Sequence, residues 1–108
     1  MQVAVFINSR NGECFAKGTY DGKNLIVHEG GHVRKDFASH IRGGKKAKTY
    51  RNNPQDVSND GIILCDCTFS SPSTAAQFVT GRSTNGYEAW KVDTKKSLGK
   101  YLEEIGLR

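Results

Sequence analysis

The sequence predicts an α+β domain, in which a small antiparallel sheet of about four strands carries two or three helices packed on it. Stretches of alternating apolar residues indicate the strands, and Asp21-Gly22 is a hairpin signal because both residues tolerate positive φ. Later stretches place apolar residues at helical spacing behind helix-start signals. The 108 residues contain no repeat, low-complexity tract or linker. We therefore expect one domain, residues 1–108, with one core.

The first part of the chain predicts three strands. The alternation of Val3, Val5 and Ile7 indicates the first. Residues 13–20 are a second candidate, and residues 25–27 form the return strand of the predicted hairpin.

A helix and a basic loop are predicted next. Val33, Phe37 and Ile41 fall on one side of a helix from about residue 32 to residue 42. Residues 42–51 then hold five basic residues and no acid, before an Asn-Asn-Pro sequence. This stretch is the best loop candidate, and long loops are often functional.

The most distinct predicted strand, residues 62–69, leads straight into a helix. Four of its side chains share one face: Ile63, Cys65, Cys67 and Phe69. Ser71 is a helix-capping residue, and Pro72 is pre-set for the first helical position. Gly81 is a natural stop for this helix. A last helix is predicted over about residues 98–105, with Ser97 as its cap and Gly106 as its stop.

Residues 69–91 resemble the core motif of a known family. They read Phe-Ser-Ser-Pro-Ser-Thr-Ala-Ala and, after a short apolar run, Gly-Arg-Ser-Thr-Asn-Gly-Tyr-Glu-Ala-Trp-Lys. This pattern closely resembles that of the family called domain of unknown function 4357. The upstream half is similar more loosely: Gly31 stands where the family usually has Ser. Tyr87 likewise replaces the usual Trp.

The resemblance implies a context rather than a reaction. Members of the family mostly occur as C-terminal parts of GIY-YIG nucleases and of restriction–modification proteins. A more distant similarity is to the restriction-enzyme adenine-methylase-associated domain, which is thought to contact DNA. Neither family offers an established catalytic residue, so the resemblance implies a non-catalytic accessory domain.

Composition is consistent with an acidic partner. The formal net charge is +5 and the pI is about 9.2, which favours nucleic acid. No apolar run approaches membrane length, and the start of the chain lacks the features of a secretory signal, so we expect a cytoplasmic protein. Three cysteines are an odd number, which argues against a disulfide framework.

The basic stretch supplies the first candidate nucleic-acid contacts. They are Lys45, Lys46, Lys48 and Arg51. These side chains could follow a phosphate backbone. The alternative is a solvated loop without a partner.

Further candidates lie in the family motif. Ser71 and Ser73 could present hydroxyl and backbone N–H groups to a phosphate, or Ser71 could simply cap the helix. Arg82 could contact a phosphate or a base edge, or it could complement the helix dipole. Tyr87, beside the Asn85 turn, could stack on a base together with the chain's only tryptophan.

The tryptophan, Trp90, has a competing interpretation as the centre of the core, which we prefer. Asn85, which forms the turn before Tyr87, is also a candidate nucleic-acid contact.

We predict neither a metal, nor a cofactor, nor an enzyme. A zinc site could be assembled from the three cysteines with His28, His32 and His40, but Cys65 and Cys67 are spaced for a strand rather than a zinc knuckle. No motif links a histidine to a nucleophile. Gly43-Gly44-Lys45-Lys46 lacks the spacing and the hydroxyl of a P-loop.

The leading hypothesis is therefore an accessory DNA-binding domain of a restriction or nuclease system. The alternative is a protein-interaction module that docks a nuclease or methylase polypeptide, and a free-standing enzyme is a third possibility. A continuous basic face would favour DNA, whereas an exposed apolar patch without a basic surface would favour docking.

Overall fold

The computed structural model describes residues 1–9, 11–37 and 45–108. In chain order, these residues form β1 (Val3–Asn8), β2 (Phe15–Tyr20), β3 (Leu25–Val27), α1 (Lys45–Asn52), β4 (Cys67–Phe69), α2 (Pro72–Thr80), α3 (Gly86–Ala89), β5 (Lys91–Asp93), β6 (Lys96–Ser97) and α4 (Leu98–Glu104). The six strands make one antiparallel sheet in the order β4-β3-β2-β1-β5-β6. The α+β class is confirmed, but the described sheet has six strands rather than about four.

The two strands that the sequence does not predict are β5 and β6. They are two or three residues long and rich in lysine, so they show no apolar alternation. Their pairing depends on tertiary structure: Lys91 pairs with Phe6 of β1, and the Asp93 carboxylate accepts a hydrogen bond from the Lys95 amide in the turn between them.

The predicted helix over residues 32–42 is wrong for its described part. His32 bridges Phe15 on one side and Ile62 on the other, and the Val33 amide donates to the Gly61 carbonyl. The Arg34 amide donates to the Val79 carbonyl at the end of α2. This segment is extended because its backbone groups pair with neighbouring segments, which the apolar spacing could not reveal. Residues 38–42 lie outside the described residues.

The predicted basic loop is also corrected, because residues 45–52 form the helix α1. Ala47 is fully buried, and Tyr50 and Arg51 turn inward beside it. These three residues are spaced by three and four, which is helical spacing. The inward face consists of a small residue, a phenol and an arginine, and lysines surround it in the sequence. The stretch therefore shows no clear apolar periodicity. Residues 42–44 are not among those described.

The predicted strand 62–69 is shorter than expected, since only Cys67–Phe69 pairs as a strand. Ile62 and Ile63 make single bridges, to His32 and Val57 respectively. The predicted alternation is nevertheless confirmed. Ile63, Cys67 and Phe69 are buried, whereas Ile62 is 43% exposed.

Helix α2 is the main cover of the sheet, packing against β2, β3 and β4. Its predicted ends are confirmed: the Ser71 hydroxyl accepts a hydrogen bond from the Thr74 amide, and Gly81 ends the helix with φ 69°. Pro72 and Ala75 are buried, and so are the four residues that follow Ala75. They are Ala76, Gln77, Phe78 and Val79. The last helix also begins as predicted, with the Ser97 hydroxyl accepting from the Lys100 amide.

Trp90 occupies the core, as predicted. It is 0% exposed, and its indole N–H donates to the Pro72 carbonyl over 3.0 Å. The turn that carries it is held by a close approach of Gly86 to the first turn of α2. A Cβ added at Gly86 would lie 2.1 Å from the Pro72 carbonyl carbon, so only glycine fits there.

We expect Trp90→Ala to lower the free energy of unfolding by about 3–5 kcal/mol, because it leaves a large cavity and an unpaired carbonyl. Trp90→Phe keeps most of the ring but loses the hydrogen bond, so its cost is smaller. Chemical denaturation measures both. Tryptophan fluorescence like that of free indole in water, from a folded wild-type chain, would contradict burial.

Candidate nucleic-acid interface

The outward face of α1 is basic. Lys45, Lys46 and Lys48, together called the α1 lysines below, are exposed, whereas Ala47 between them is buried. The helix contains no acidic residue that could offset them. The sequence hypothesis placed these cations on a loop; the structure places them on a helix, which fixes their spacing.

Arg51, the fourth basic candidate, points into the protein. Its guanidinium donates to the backbone carbonyls of Phe78 over 2.8 Å and Arg34 over 2.6 Å, and it approaches that of Val79. It also lies over the Phe37 ring, 4.8 Å from the centroid. The C-terminal carbonyls of a helix lack intrahelical partners. Arg51 therefore satisfies the end of α2 and fastens α1 to it.

Burial makes the charged form of Arg51 less favourable. Loss of hydration lowers the pKa of the Arg51 guanidinium to about 10, and the nearby Arg34 also acts to lower it. At neutral pH the group remains charged, so it acts as a cationic cap on the end of α2.

Next to α1 is a cleft of about 820 Å³, which we call the basic cleft. Its cationic lining residues are Arg34, Lys35, Lys48 and Arg51. Polar side chains of Ser58 and Asn59 also line it, and no carboxylate does so within the described part of the chain.

The four cations of the basic cleft differ in their partners. Arg34 is paired with the Glu13 carboxylate outside the cleft, and Arg51 is held by backbone carbonyls. Lys35 and Lys48 form no ion pair with any residue in 1–9, 11–37 or 45–108. The Lys48 ammonium lies 5.7 Å from the Phe37 ring centroid. Lys35 and Lys48 are thus the lining cations that can meet an anion without giving up an ion pair or hydrogen bonds to backbone carbonyls.

The serine candidates are occupied by local structure. The Ser71 hydroxyl caps α2, and the Ser73 hydroxyl accepts a hydrogen bond from the Gly86 amide over 3.0 Å. The Gly86 backbone packs on the same first turn, with its Cβ position 2.3 Å from the Ser73 nitrogen. The N-terminus of α2 is therefore covered by the chain's own turn at the place where a phosphate would sit.

Asn85 and Tyr87 are likewise engaged. The Asn85 side-chain oxygen accepts from the Tyr87 amide, which caps the short helix α3. The Tyr87 ring is half-buried beneath the Arg108 guanidinium, which lies 4.1 Å from its centroid. Burial, and then a hydrogen bond with Tyr87, raise the pKa of Tyr20 to about 12.

The structure divides the predicted site residues into two groups at opposite ends of α2. Ser71, Ser73, Asn85 and Tyr87 gather at its N-terminal end. Arg82 is exposed just past its C-terminal end, after Gly81, which abuts the Arg51 guanidinium. The α1 lysines belong to the second group because Arg51 joins α1 to this end.

Sequence reasoning missed the contribution of Lys35 to the basic surface. Arg34 and Lys35 fall off the apolar stripe of the predicted helix, and that was the available signal. Their position beside α1 depends on the pairing of Arg34 with Val79. That long-range contact has no local sequence pattern.

The cysteines and histidines form no metal centre within the described ranges, where no group of three or more His, Cys, Asp or Glu could hold an ion. All three cysteines are free thiols. The Cys65 thiol donates to the Asp56 carboxylate over 3.0 Å, a hydrogen bond that raises the pKa of this thiol. Burial raises the pKa of Cys67 to about 12. His40, also considered as a ligand, lies outside the described residues.

Comparison with known proteins identifies the family. A family model described as Domain of unknown function (DUF4357) matches residues 5–102. The searches of curated proteins and of solved structures found no match. None of the helices in the described ranges is long and apolar enough to cross a membrane.

Replacing Arg51 with lysine is expected to lower the free energy of unfolding by about 1.5–3 kcal/mol, since one ammonium cannot reproduce the guanidinium's fork of hydrogen bonds. Lys46→Gln on the exposed side of the same helix is the matched control, with a change within about 0.5 kcal/mol. Chemical denaturation compares the two. Equal stability of the two variants would show that the cap on α2 is dispensable.

Cys14 and Cys67 are expected to resist alkylation by iodoacetamide at neutral pH in the folded protein. Both side chains are buried, and the raised pKa of Cys67 also disfavours its reactive thiolate. Unfolding exposes all three thiols, and mass spectrometry counts the adducts. Rapid native labelling of Cys67, or stoichiometric zinc that is released together with unfolding on chelation, would refute free, buried thiols.

Proposed function

We propose that this chain, which belongs to the family described as Domain of unknown function (DUF4357), is a non-catalytic accessory domain that binds DNA. Its context would be a nuclease or restriction–modification system, as the resemblance of residues 69–91 implies, and we place that system in the cytoplasm. The domain would add affinity for the DNA backbone to a partner that carries the chemistry.

The observation that carries this proposal is the continuity of positive charge from α1 into the basic cleft. The α1 lysines occupy the outward face of the helix, and Lys48 also lines the cleft together with Lys35. No acidic side chain among the described residues lines that cleft. A surface of this kind attracts the phosphate backbone and releases its condensed counterions.

The chemistry of these cations favours contacts with phosphates over contacts with bases. Lysine is a flexible point charge, and it lacks the planar fork with which arginine reads guanine. The arginines in the basic cleft, Arg34 and Arg51, already bond to Glu13 and to backbone carbonyls. We therefore expect weak binding that is largely independent of sequence, with a Kd of roughly 10⁻⁴–10⁻⁶ M at physiological salt.

Arg82 is the described candidate best placed to add a more specific contact. Its side chain is exposed at the end of α2 and forms no salt bridge with the described residues. Ser71, Ser73 and Asn85 support the proposal less, since their side-chain oxygens already accept hydrogen bonds from the chain's own amides. In this proposal they build the scaffold that presents the basic surface.

A docking module for a nuclease or methylase polypeptide ranks second. An exposed apolar patch without a basic surface would favour that function, and the basic cleft supports DNA instead. An enzyme ranks third, because the thiols are disfavoured as nucleophiles by the raised pKa values of Cys65 and Cys67.

The test is the salt dependence of duplex-DNA binding, measured by fluorescence anisotropy with a labelled duplex. Replacing all three α1 lysines with glutamine is expected to lower the slope of log K against log salt by about 0.9 for each phosphate that is no longer neutralised. The charge-matched control replaces Lys23, Lys95 and Lys100, which are exposed on turns and on α4. The control should change the slope much less, because it lowers the net charge without removing a proposed phosphate contact.

Equal changes in slope for the two triple variants would show that DNA binding depends on net charge alone. The α1 lysines would then not be the binding surface. A wild-type chain without affinity for duplex DNA even at low salt would shift support to the docking module.

Arg82→Gln separates a specific role from a general one. If Arg82 contacts a base edge, this substitution narrows the difference in affinity between preferred and random duplexes while leaving the salt slope close to wild type. A competition assay with a pool of duplex sequences measures that difference. A uniform decrease in affinity with a lower slope would place Arg82 on a phosphate instead.

A further inference from the structure

The sheet face turned away from α2 carries aromatic side chains. On β1 the inward residues are Val3, Val5 and Ile7, and Phe6 lies among the outward ones. On β2, Phe15 is outward and 43% exposed. The outward face of an antiparallel sheet is ordinarily polar. Two phenylalanines on neighbouring strands therefore indicate a ligand or partner for this face.

The strand register places Phe6 and Phe15 near each other on this face. Phe6 is paired with Lys17, and Asn8 is paired with Phe15. Phe6 and Phe15 are thus diagonal neighbours, with backbones about 7–8 Å apart. The Phe15 ring also stacks against His32, with centroids 6.1 Å apart and planes 23° from parallel.

A shallow groove of about 570 Å³ runs over these residues. Beyond the two phenylalanines, its lining includes Asn8, Lys17, Thr19 and His28. No carboxylate lines it among the residues that the structure describes. The lining also includes Val92 of β5, and the Asp66 carboxylate lies 3.5 Å from the ring of the lining residue His28.

We propose that this outward face is a stacking platform for single-stranded nucleic acid. Two successive bases would lie on Phe6 and Phe15, and the Lys17 ammonium would meet the backbone between them. Each base has a π-face, so aromatic side chains interleaved with cations bind single strands with little sequence preference. Asn8 supplies hydrogen-bonding groups at the edge of a base, whereas the Thr19 hydroxyl is already hydrogen-bonded to the His28 ring over 2.7 Å.

The chemistry of the groove favours this ligand over a polypeptide. Lys17 is the one permanently charged side chain in its described lining, and it is paired with Phe6 and lies two residues along β2 from Phe15. A protein partner of ordinary size would cover about 800 Å² on each side. Among the described residues, the phenylalanines of this face lie on two adjacent strands, which matches two bases better.

The stacking platform and the proposed duplex site both bind nucleic acid, but the platform uses none of the α1 lysines. Duplex DNA cannot use the platform, because its bases are already stacked and paired. The two surfaces are therefore separable by experiment.

The experiment compares Phe15→Leu and Phe6→Leu with wild type for binding to a fluorescein-labelled oligothymidine and to a labelled duplex. Leucine keeps the apolar packing but has no π-face, so each variant should bind the single strand about tenfold more weakly. Duplex affinity should stay unchanged. Phe15→Trp is the matched control and should retain single-strand affinity because it keeps an aromatic ring. Circular dichroism verifies the fold of each variant.

Unchanged single-strand affinity in both leucine variants would overturn the proposal, as would equal decreases in affinity for single strand and duplex. A wild-type dimer in sedimentation that Phe15→Leu abolishes would assign the face to a second copy of the chain and also overturn it. In the variant without the α1 lysines, weaker duplex binding with unchanged oligothymidine affinity supports a platform that is separate from the duplex site.

Discussion

The close packing of Gly86 on the first turn of α2 is the constraint on which the rest of the structure depends. A Cβ at Gly86 would lie 2.1 Å from the Pro72 carbonyl carbon, and the Gly86 amide donates to the Ser73 hydroxyl. This approach brings the Trp90 indole N–H to the Pro72 carbonyl. The Leu98 amide in turn donates to the Trp90 carbonyl, which starts α4. One contact therefore sets α2 over the sheet and positions the elements that follow it.

This constraint explains why the family motif and the basic surface are different parts of the molecule. The Ser-Pro-Ser and Asn-Gly residues use their polar atoms to hold two turns together, which closes the N-terminus of α2 to anions. At the opposite end of α2, the Arg51 guanidinium donates hydrogen bonds to the carbonyls of Phe78 and Arg34. With both ends of α2 satisfied internally, the cations of the proposed duplex site that remain for a partner are the α1 lysines, Lys35 and Arg82.

The sequence predicted those features that depend on residues close together in the chain. The Ser71 cap, the Gly81 stop and the Ser97 cap follow from side chains within a few residues, and all three are confirmed. The burial of Trp90 followed from its size and apolarity. The non-helical path of His32–Arg34 and the strands β5 and β6 could not be predicted, because distant backbone partners decide them. The basic residues were visible in sequence, but the inward turn of Arg51 depends on the carbonyls of α2 and Arg34.

DNA is proposed to meet the α1 lysines and the basic cleft rather than the family-motif turn at the start of α2. A titration of the ¹⁵N-labelled chain with a short duplex, followed by amide chemical shifts, distinguishes these two surfaces. We expect shifts concentrated at the α1 lysines, Lys35 and residues 58–59, with little change at Ser71, Ser73 and Gly86. Shifts centred on residues 71–73 and 85–87, with α1 unaffected, would contradict the proposed interface.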